Sequence, residues 1–454
     1  MLFGDLDVGP APQLPLKAFQ RRRAKLARQL GEGNVLVLAT HPRHQYSHDV
    51  DHVFRPHSDF WYLTGFAEPE ALLLLHGGSG ATELFVQSRK KEAEIWTGRH
   101  LGVERAVDAL GVDAASPAEE LTARLGKLVG KNKVHCSADY NPAIKRKILR
   151  VAGRRLVPDE LEKRPGGPEA RRKTIRFIPH GRRLLHEMRL IKEVEELKML
   201  QKACDLGVQA HEEAAAHIKP GGREYEVEAA FAHHARSHGS TGVGYPSICG
   251  CGPNAAVLHY ISNRDRLAKG KAFLIDAGCE WGWYTSDITR TYPIGGQFTK
   301  LQSSLYDLVH AAHQAAMKEV RPGVHFKKPH EKAIDVLTMG LIDHGYLEER
   351  FETAVKEHTY RRYFMHGTSH FLGLDVHDAG SYTTPDGKPR KLVENMVLTI
   401  EPGLYFNPDF APCPDEAVGI GIRIEDDVAV TADGRRNLTR KLPVDQSDVA
   451  GLVG

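Results

Sequence analysis

The sequence contains little cysteine and no long hydrophobic run. Six cysteines in 454 residues are too few for a disulfide framework, and no CxxC pair is present. The longest strictly apolar runs are as short as residues 71–75, whereas about 20 apolar residues are needed to span a bilayer. The stretch MLFGDLDVGPAPQLPL has no basic region leading into an apolar core, so we expect no signal peptide. We therefore expect a reducing, cytoplasmic location and no membrane partner.

An excess of charge of one sign is also absent. The chain has 61 Lys plus Arg against 58 Asp plus Glu, so its total charge does not draw it toward nucleic acid. The basic clusters Arg21–Arg23 and Arg171–Lys173 are short and lack interleaved aromatic residues, and we interpret them as solvated faces. The sequence contains no GxxxxGK[ST] phosphate loop, no GxGxxG after a strand and no HExxH zinc motif. These observations argue against nucleotide-dependent chemistry and nucleic-acid binding.

The length predicts two or three domains. Near Arg164 the chain becomes polar and broken, and the segment RPGGPEARRK is typical of a domain boundary. We therefore predict an N-terminal α/β domain over residues 1–175 and a larger second domain over 176–454.

Local patterns predict the first elements of each domain. Short apolar segments bounded by glycine, proline or charge predict strands at residues 34–40, 70–77 and 83–88. A basic segment over residues 19–29 predicts a helix before the first strand. Apolar residues at three- to four-residue spacing predict helix from 184 to 217, where PGG follows.

Carboxylates repeatedly interrupt apolar strands in the C-terminal half. They are Asp276 in FLIDAG, Asp287 in YTSDITRTY, Glu401 in VLTIEPG and Glu425 in GIGIRIEDD. A carboxylate inside an apolar strand is costly to bury unless a positive group compensates it. One such residue is compatible with a salt bridge, but several of them without a matching set of lysines indicate bound cations.

Histidine completes this pattern. The segment HGTSHFLGLDVHD places His366, His370 and His377 close together beside glycine turns. With His370, the set offers four carboxylates and one imidazole, and four negative charges balance two divalent ions. Oxygen-rich ligands with a single nitrogen favour Mn²⁺ first, with Co²⁺ or Zn²⁺ as alternatives. The sequence thus predicts a two-metal site.

The ordered set resembles the ligand pattern of metallopeptidases with the pita-bread fold, and the wording around it resembles bacterial aminopeptidase P. The matching segments are LHY (258–260), IDAG with DITRTYP (287–293), HGTSHFLGLDVHD, TIEPGLY (399–405), GIRIEDD, SDFWYLTGFAEPEA (58–71) and AEIWTGR (93–99). Thr368, where the family usually has an apolar residue, and the unfamiliar linker around Arg171 depart from the pattern.

The resemblance implies roles for the metal ligands. Asp276 would chelate one ion, His370 and Glu401 the other, and Asp287 and Glu425 would bridge them. A hydroxide held between the ions would attack the carbonyl before proline, with Glu401 carrying the proton.

The resemblance also implies substrate contacts. His259 and His377 would stabilise the oxyanion or hold the substrate carbonyl, and His366 would line the same pocket. Arg423 would orient a ligating carboxylate or contact substrate, with a plain structural salt bridge as the alternative. Trp96 would contribute to the proline pocket, reaching a neighbouring subunit's site, or would be a core residue.

The implied activity is removal of the residue before an N-terminal penultimate proline. The alternatives are prolidase, which has the same metals but acts on Xaa-Pro dipeptides, and a non-catalytic pita-bread binding protein. The expected fold is α/β (α+β): an N-terminal mixed sheet with flanking helices, then the curved antiparallel sheet of the creatinase/aminopeptidase type. Family likeness also implies a homodimer or homotetramer that binds peptides.

Overall fold

The chain forms two compact units in a computed structural model that describes residues 14–139, 141–157, 159–163, 175–384 and 386–454. The N-terminal unit contains the described residues up to 162 together with 175–189, and the C-terminal unit contains 163 and 190–454. Within these ranges, no helix has the length and apolar character needed to cross a membrane.

The predicted linker around Arg171, the basic cluster Arg171–Lys173 and the N-terminal stretch up to residue 13 lie outside the described residues. The boundary predicted at residue 175 therefore stays a prediction.

The N-terminal unit is built on a five-stranded sheet. The helices that begin in it are α1 (Leu16–Leu30), α2 (Ser58–Thr64), α3 (Lys91–Thr97), α4 (Val103–Leu110), α5 (Leu121–Val129), α6 (Pro142–Ala152) and α7 (His180–Leu190). The strands are β1 (Asn34–Ala39), β2 (Gln45–Ser47), β3 (Val50–Asp51), β4 (Leu72–His76), β5 (Thr82–Val86), β6 (Ala114–Pro117), β7 (Lys133–Ser137), β8 (Asp159–Lys163) and β9 (Ile175–Pro179).

The strand order of this sheet is β6-β5-β4-β1-β7. The β1/β4 and β4/β5 pairs are antiparallel, whereas β1/β7 and β5/β6 are parallel. The predicted mixed sheet is therefore confirmed. Each of the three strands predicted from the first apolar segments is present within two residues of its expected ends. Their side chains pack with those of α5 and α6 into one apolar core.

The basic cluster on α1 is not a solvated face, which corrects the sequence interpretation. Arg22 and Arg23 are 1% and 3% exposed. The Arg22 guanidinium donates to the carbonyl of Tyr62 at 3.2 Å, and Arg23 donates to that of Leu63 at 2.8 Å. These carbonyls are at the end of α2, where backbone acceptors lack helical partners. The two arginines therefore satisfy the C-terminus of a buried helix.

The C-terminal unit combines long helices with short antiparallel ladders. Its helices are α8 (Val194–Ala216), α9 (Glu224–Ser237), α10 (Lys300–Lys318), α11 (Lys328–Asp343), α12 (Phe351–Glu357) and α13 (Gln446–Gly451). Its strands are β10 (Gly242–Val243), β11 (Ile248–Cys251), β12 (Ala272–Ala277), β13 (Cys279–Trp281), β14 (Tyr284–Thr285), β15 (Ile288–Pro293), β16 (Val397–Ile400), β17 (Gly403–Tyr405), β18 (Gly421–Arg423), β19 (Asp426–Val430) and β20 (Arg435–Asn437).

These strands pair in the orders β10-β13-β14, β11-β12-β15, β16-β19-β20 and β17-β18. All of these pairings are antiparallel. Helix α8 packs against β13 and β14, α9 against β11, and α10 against β16, β17 and β18. The ladders thus carry packed helices, and the carboxylates singled out in the sequence lie within or directly beside their strands.

The helix predicted from residue 184 to 217 is two helices, α7 and α8, separated at residues 191–193. The backbone N–H of Lys192 donates to the carbonyl of Asn395 at 2.9 Å, which holds the chain out of helical geometry. Glu193 then begins α8 with a capping box that includes Glu196.

Candidate metal centre

Asp276 and Asp287 are brought together by the β12/β15 ladder. In this antiparallel pair Asp276 lies opposite Thr289 and Ala277 opposite Ile288, so Asp287 stands just beyond the last paired residue. The hydroxyl of Tyr245 is 2.6 Å from Oδ1 of Asp276 and also contacts Oδ1 of Asp287. Burial and the two carboxylates raise the pKa of Tyr245 well above its usual value, so it remains a neutral donor between them.

Glu425 reaches the same place from the run GIGIRIEDD, which the structure divides into β18 and β19. Glu425 lies between these two strands and forms an isolated bridge with Thr289. The Thr289 hydroxyl donates to Oε2 of Glu425 at 2.6 Å. Glu425 was predicted to lie within a strand, but it lies at a break between two strands. Its side chain is held there by Thr289, two residues after Asp287.

His370 and Glu401 come from two adjacent segments of the chain. Glu401 follows β16 and donates its backbone N–H to the carbonyl of Thr368 at 2.9 Å. The ring Nε2 of His370 is 3.2 Å from Oδ2 of Asp287 and 3.7 Å from Oε1 of Glu401. One ligand atom each from Asp287, His370 and Glu425 lie within 4.8 Å of one another.

This cluster is rich in negative charge for a buried site. Asp276, Asp287 and Glu425 are 7%, 5% and 2% exposed. Burial raises the pKa of Glu401 to about 7, although His370 and Arg423 oppose the shift. Burial and the neighbouring carboxylates raise the pKa of Glu425 well above its usual value. Buried acids that resist ionisation in this way fit a site for divalent cations, which would supply the missing positive charge.

Arg423 is joined to the cluster through Asp276. Its Nη2 contacts Oδ2 of Asp276, and its Nη1 donates to the Tyr405 hydroxyl at 2.9 Å. The guanidinium is buried, with only 4% of the residue exposed. This contact is compatible with both interpretations made from the sequence, a residue that orients Asp276 and a plain structural salt bridge, so the role of Arg423 stays a prediction.

His366 is held in one tautomer by its two partners. Its Nδ1 donates to the carbonyl of Gly367 at 2.7 Å, and its Nε2 accepts from the Tyr405 hydroxyl at 2.8 Å. Burial and the positive charge of Arg423 lower its pKa to about 3, so the ring is neutral. Nδ1 is also 3.5 Å from Oε2 of Glu401, which places His366 beside the proton carrier expected from the sequence.

The remaining candidates differ in position. The ring of His377 packs edge-to-face on that of His370, with centroids 4.4 Å apart, and His377 is exposed. His259 is exposed on the loop after residue 256, and its charge contributes to the lowered pKa of His366. Trp96 lies on α3 of the N-terminal unit and is 87% exposed, so it is not a core residue of that unit.

Several polar residues around the centre were missed from the sequence. Tyr245, Thr289 and Tyr405 are buried or partly buried side chains whose hydroxyls contact the carboxylates or His366. Thr289 lies two residues after Asp287, so strand alternation could have indicated it. Tyr405 ends the segment TIEPGLY but carries no charge that would mark it. Nothing in the local sequence marks Tyr245, because its role depends on the pairing of distant strands.

The fold and the acidic centre define a metallopeptidase of the pita-bread class. The model of "Metallopeptidase family M24" matches residues 198–432, and that of "Aminopeptidase P, N-terminal domain" matches residues 19–136. Xaa-Pro aminopeptidase of Escherichia coli strain K12 is 36% identical over 97% of this chain and 98% of that protein. The enzyme of Haemophilus influenzae with the same name is 36% identical over 99% and 100%.

Solved structures agree with these relatives. Proline aminopeptidase P II from Yersinia pestis superposes with a TM-score of 0.87 and 36% identity over 97% of this chain and 99% of that one. Zn-substituted Escherichia coli aminopeptidase P in complex with product gives 0.87 and 35% over 97% and 98%. The chain therefore belongs to the aminopeptidase P family within metallopeptidase family M24, and the predicted pita-bread fold is confirmed.

Proposed function

We propose that this chain is a dinuclear-metal aminopeptidase that cleaves the bond between an N-terminal residue and a penultimate proline. The observation that carries the proposal is the buried meeting of four carboxylates with one imidazole, at Asp276, Asp287, His370, Glu401 and Glu425. The full-length likeness to Xaa-Pro aminopeptidases supports the same activity.

Two divalent ions fit this donor set, with Mn²⁺ proposed first and Co²⁺ or Zn²⁺ as alternatives. The donors are mostly carboxylate oxygens, which suit hard or borderline cations. We propose that Asp276 would hold one ion and that His370 and Glu401 would hold the other, with Asp287 and Glu425 contributing to both. The ions would supply an activated water at neutral pH and polarise the scissile carbonyl.

The protein side chains then position the peptide and move the proton. We propose that Glu401, which lies beside His370 and His366, takes a proton from the attacking water and delivers it to the proline nitrogen. Neutral His366 cannot donate from Nε2, because that nitrogen accepts from Tyr405, so it lines the pocket beside Glu401. His259 and His377 are exposed, and we propose that they hold the substrate carbonyl and stabilise the oxyanion.

The preference for proline has a physical basis. An Xaa-Pro bond is a tertiary amide without an N–H, so a site that requires that donor rejects it. We propose that His366 helps to define the proline pocket and that Trp96 of a neighbouring subunit would contribute to it. Exposed Trp96 and Ile95 on α3, at 87% and 81%, support a contribution from a neighbouring subunit in a homodimer or homotetramer.

The cytoplasm is the proposed location. The six cysteines are all free, five of them buried, which suits a reducing compartment.

The assay that tests the specificity compares Xaa-Pro-Yaa tripeptides, Xaa-Pro dipeptides and Xaa-Ala-Yaa controls on one preparation restored with Mn²⁺. We expect the tripeptides with proline to be cleaved in preference to both other sets. A strong dipeptide preference would instead support prolidase. Absence of cleavage with metal bound would support a non-catalytic binding protein.

A further inference from the structure

His370 and Asp287 are both held through their backbones by buried residues that do not belong to the ligand set. The backbone N–H of His370 donates to Oγ1 of Thr399 at 3.1 Å, and the N–H of Thr399 donates to the carbonyl of His370 at 3.0 Å. The backbone N–H of Asp287 donates to Oδ2 of Asp427 at 2.9 Å. Thr399 and Asp427 are each 0% exposed.

These two supporting residues face each other across one ladder. In the antiparallel β16/β19 pair, Thr399 lies directly opposite Asp427. Directly paired residues point to the same face of a sheet, with Cβ atoms about 4.5–5.5 Å apart. The contacts therefore close into a ring, from His370 to Thr399, across the ladder to Asp427, on to Asp287 and back to His370 through the 3.2 Å contact between Nε2 and Oδ2.

Asp287 needs such support because its backbone lies where two ladders diverge. The β12/β15 pairing begins at Ile288, and the β13/β14 pairing ends at Thr285. The N–H of Asp287 falls between them and takes its acceptor from the side chain of Asp427. A buried backbone donor without a partner is unfavourable, so loss of this acceptor would favour movement of Asp287.

Asp427 itself is not placed for ion pairing. Its Oδ2 also accepts from the thiol of Cys204 at 3.3 Å, and its Oδ1 has no hydrogen-bond partner among the described residues. Asp287 and Asp426, which lie beside it, carry negative charge. These surroundings fit a carboxyl group that serves as the hydrogen-bond acceptor for the backbone N–H of Asp287.

We propose that the pair Thr399–Asp427 is a positioning rung, which fixes the separation of His370 and Asp287 and so sets the geometry of the metal centre. Neither residue touches a metal ion or substrate. The inference rests on the proposed metal centre, and it adds two residues that determine how tightly and in what geometry that centre holds its ions.

The test uses the full chain stripped of metal and titrated with Mn²⁺. Thr399→Val removes the acceptor for the His370 N–H while keeping the side-chain volume, and Thr399→Ser restores it. Thr338→Val is the matched control, since Thr338 is 0% exposed and its hydroxyl has no partner. We expect Thr399→Val to bind Mn²⁺ about 10- to 100-fold more weakly, the usual effect of losing support behind a metal ligand, with Ser close to the parent.

The variants of Asp427 test whether its role depends on its hydrogen-bond acceptor or on its negative charge. Asp427→Asn keeps a carbonyl oxygen for the Asp287 N–H, so it should retain Mn²⁺ affinity, whereas Asp427→Leu should lose it as Thr399→Val does. The Co²⁺ absorption spectrum should change in the same two variants, because it reports ligand geometry. If Asp427→Leu does not fold, the Thr399 pair decides the question.

The rung is overturned if Thr399→Val binds Mn²⁺ like the parent, or loses no more than Thr338→Val. Equal loss in Thr399→Val and Thr399→Ser would also count against it, because the hydroxyl would then be irrelevant. Hydrogen exchange in the metal-free protein gives a readout that needs no bound ion. We expect the His370 amide to exchange faster in Thr399→Val, and unchanged exchange would contradict the rung even if the parent bound no metal.

Discussion

Tyr405 shows how one side chain connects several parts of the centre. Its oxygen accepts from Arg423, and its hydroxyl proton goes to His366. Arg423 in turn contacts Asp276. The phenol is fully buried, and burial raises its pKa above the usual value, so it acts as a neutral link between a cation and an imidazole.

We predict that Tyr405→Phe lowers kcat/KM on Xaa-Pro-Yaa by about tenfold or more, because a buried donor and a buried acceptor lose their partner at about 1–3 kcal/mol each. Steady-state kinetics check the effect, and metal content should remain that of the parent. Tyr363→Phe is the matched control, since its buried hydroxyl donates to the carbonyl of Pro412 at 2.9 Å. Equal loss in both variants would contradict a specific role for Tyr405.

His370 makes metal binding depend on pH. Burial opposes its charge, but the hydrogen bond to Asp287 and the charges of Glu401 and Asp287 raise its pKa from 6.5 to about 9 in the metal-free chain. The protonated ring must lose its proton before it can bind a metal. We predict that Mn²⁺ affinity rises between pH 6.5 and 9 and that binding releases protons. Calorimetry in two buffers of different ionisation enthalpy measures both, and pH-independent affinity would contradict the assignment.

The same shift has a definite sign for stability. A raised histidine pKa stabilises the metal-free fold fully below pH 6.5, and this contribution is lost as the pH rises through about 9.

At the residue scale, the sequence identified the charged candidate ligands but not the polar residues that hold them in place. Asp276 and Glu401 stood out because a carboxylate in an apolar strand demands compensation. Thr399 and Tyr245 did not, because threonine and tyrosine are ordinary strand residues and their contacts depend on distant pairing. Asp427 follows Glu425 closely but was not distinguished from it by any local signal.

Helix α2 carries a buried charge cluster that belongs to the N-terminal unit. Asp59 is 0% exposed and lies 2.7 Å from Nε of Arg182, 2.6 Å from Nη1 of Arg189 and 3.2 Å from Nε2 of His186. Burial alone would raise its pKa, but these three groups hold it well below the usual value. The carboxylate therefore joins α2 to α7.

We predict that Asp59→Asn destabilises the protein by about 3–5 kcal/mol, the usual cost of removing one partner from a buried ion pair. Urea unfolding checks the loss, with Asp108→Asn on an exposed position of α4 as control. Because the folded pKa of Asp59 is depressed, its stabilising effect is present above about pH 3.8 and is lost as the pH falls. Unfolding equal to that of Asp108→Asn would show that the cluster contributes little.

At the element scale, the presence of a helix was easier to predict than a break within it. The helix expected from 184 to 217 follows a continuous apolar pattern, yet the chain breaks at Lys192. Its ammonium group pairs with the buried carboxylate of Asp378 at 2.8 Å, and its backbone bonds to Asn395. Both partners lie far along the sequence, so a local pattern could not indicate the break.

For the whole molecule, metal removal should be visible as a loss of stability. Without cations, the buried carboxylates of the centre lose their compensating charge. We predict that a chelator lowers the unfolding temperature and that Mn²⁺ restores it. For one bound ion at a hundred times its dissociation constant, the free energy of unfolding should rise by about 2.7 kcal/mol. Scanning calorimetry with and without Mn²⁺ measures the difference. Identical transitions would show that the centre holds no ion under those conditions.

The architecture of both units could be inferred because recognisable segments are spread along the chain, from SDFWYLTGF to GIRIEDD. The environment of single basic residues could not. Arg22 and Arg23 were expected in solvent, but they donate to carbonyls at the end of α2, where backbone acceptors lack helical partners. Helical periodicity identifies a buried face, and it does not identify which long polar side chains can reach a distant helix end.

We propose that five residues hold two ions that make this chain a peptidase. The most direct measurement titrates the metal-free protein with Mn²⁺ and follows, in the same samples, the ions bound per chain and the release of the first residue from an Xaa-Pro-Yaa peptide. We predict no hydrolysis without metal, two ions bound at saturation, and a rate that rises as they bind. Full hydrolysis by the metal-free chain, or saturation with ions and no cleavage, would contradict the account.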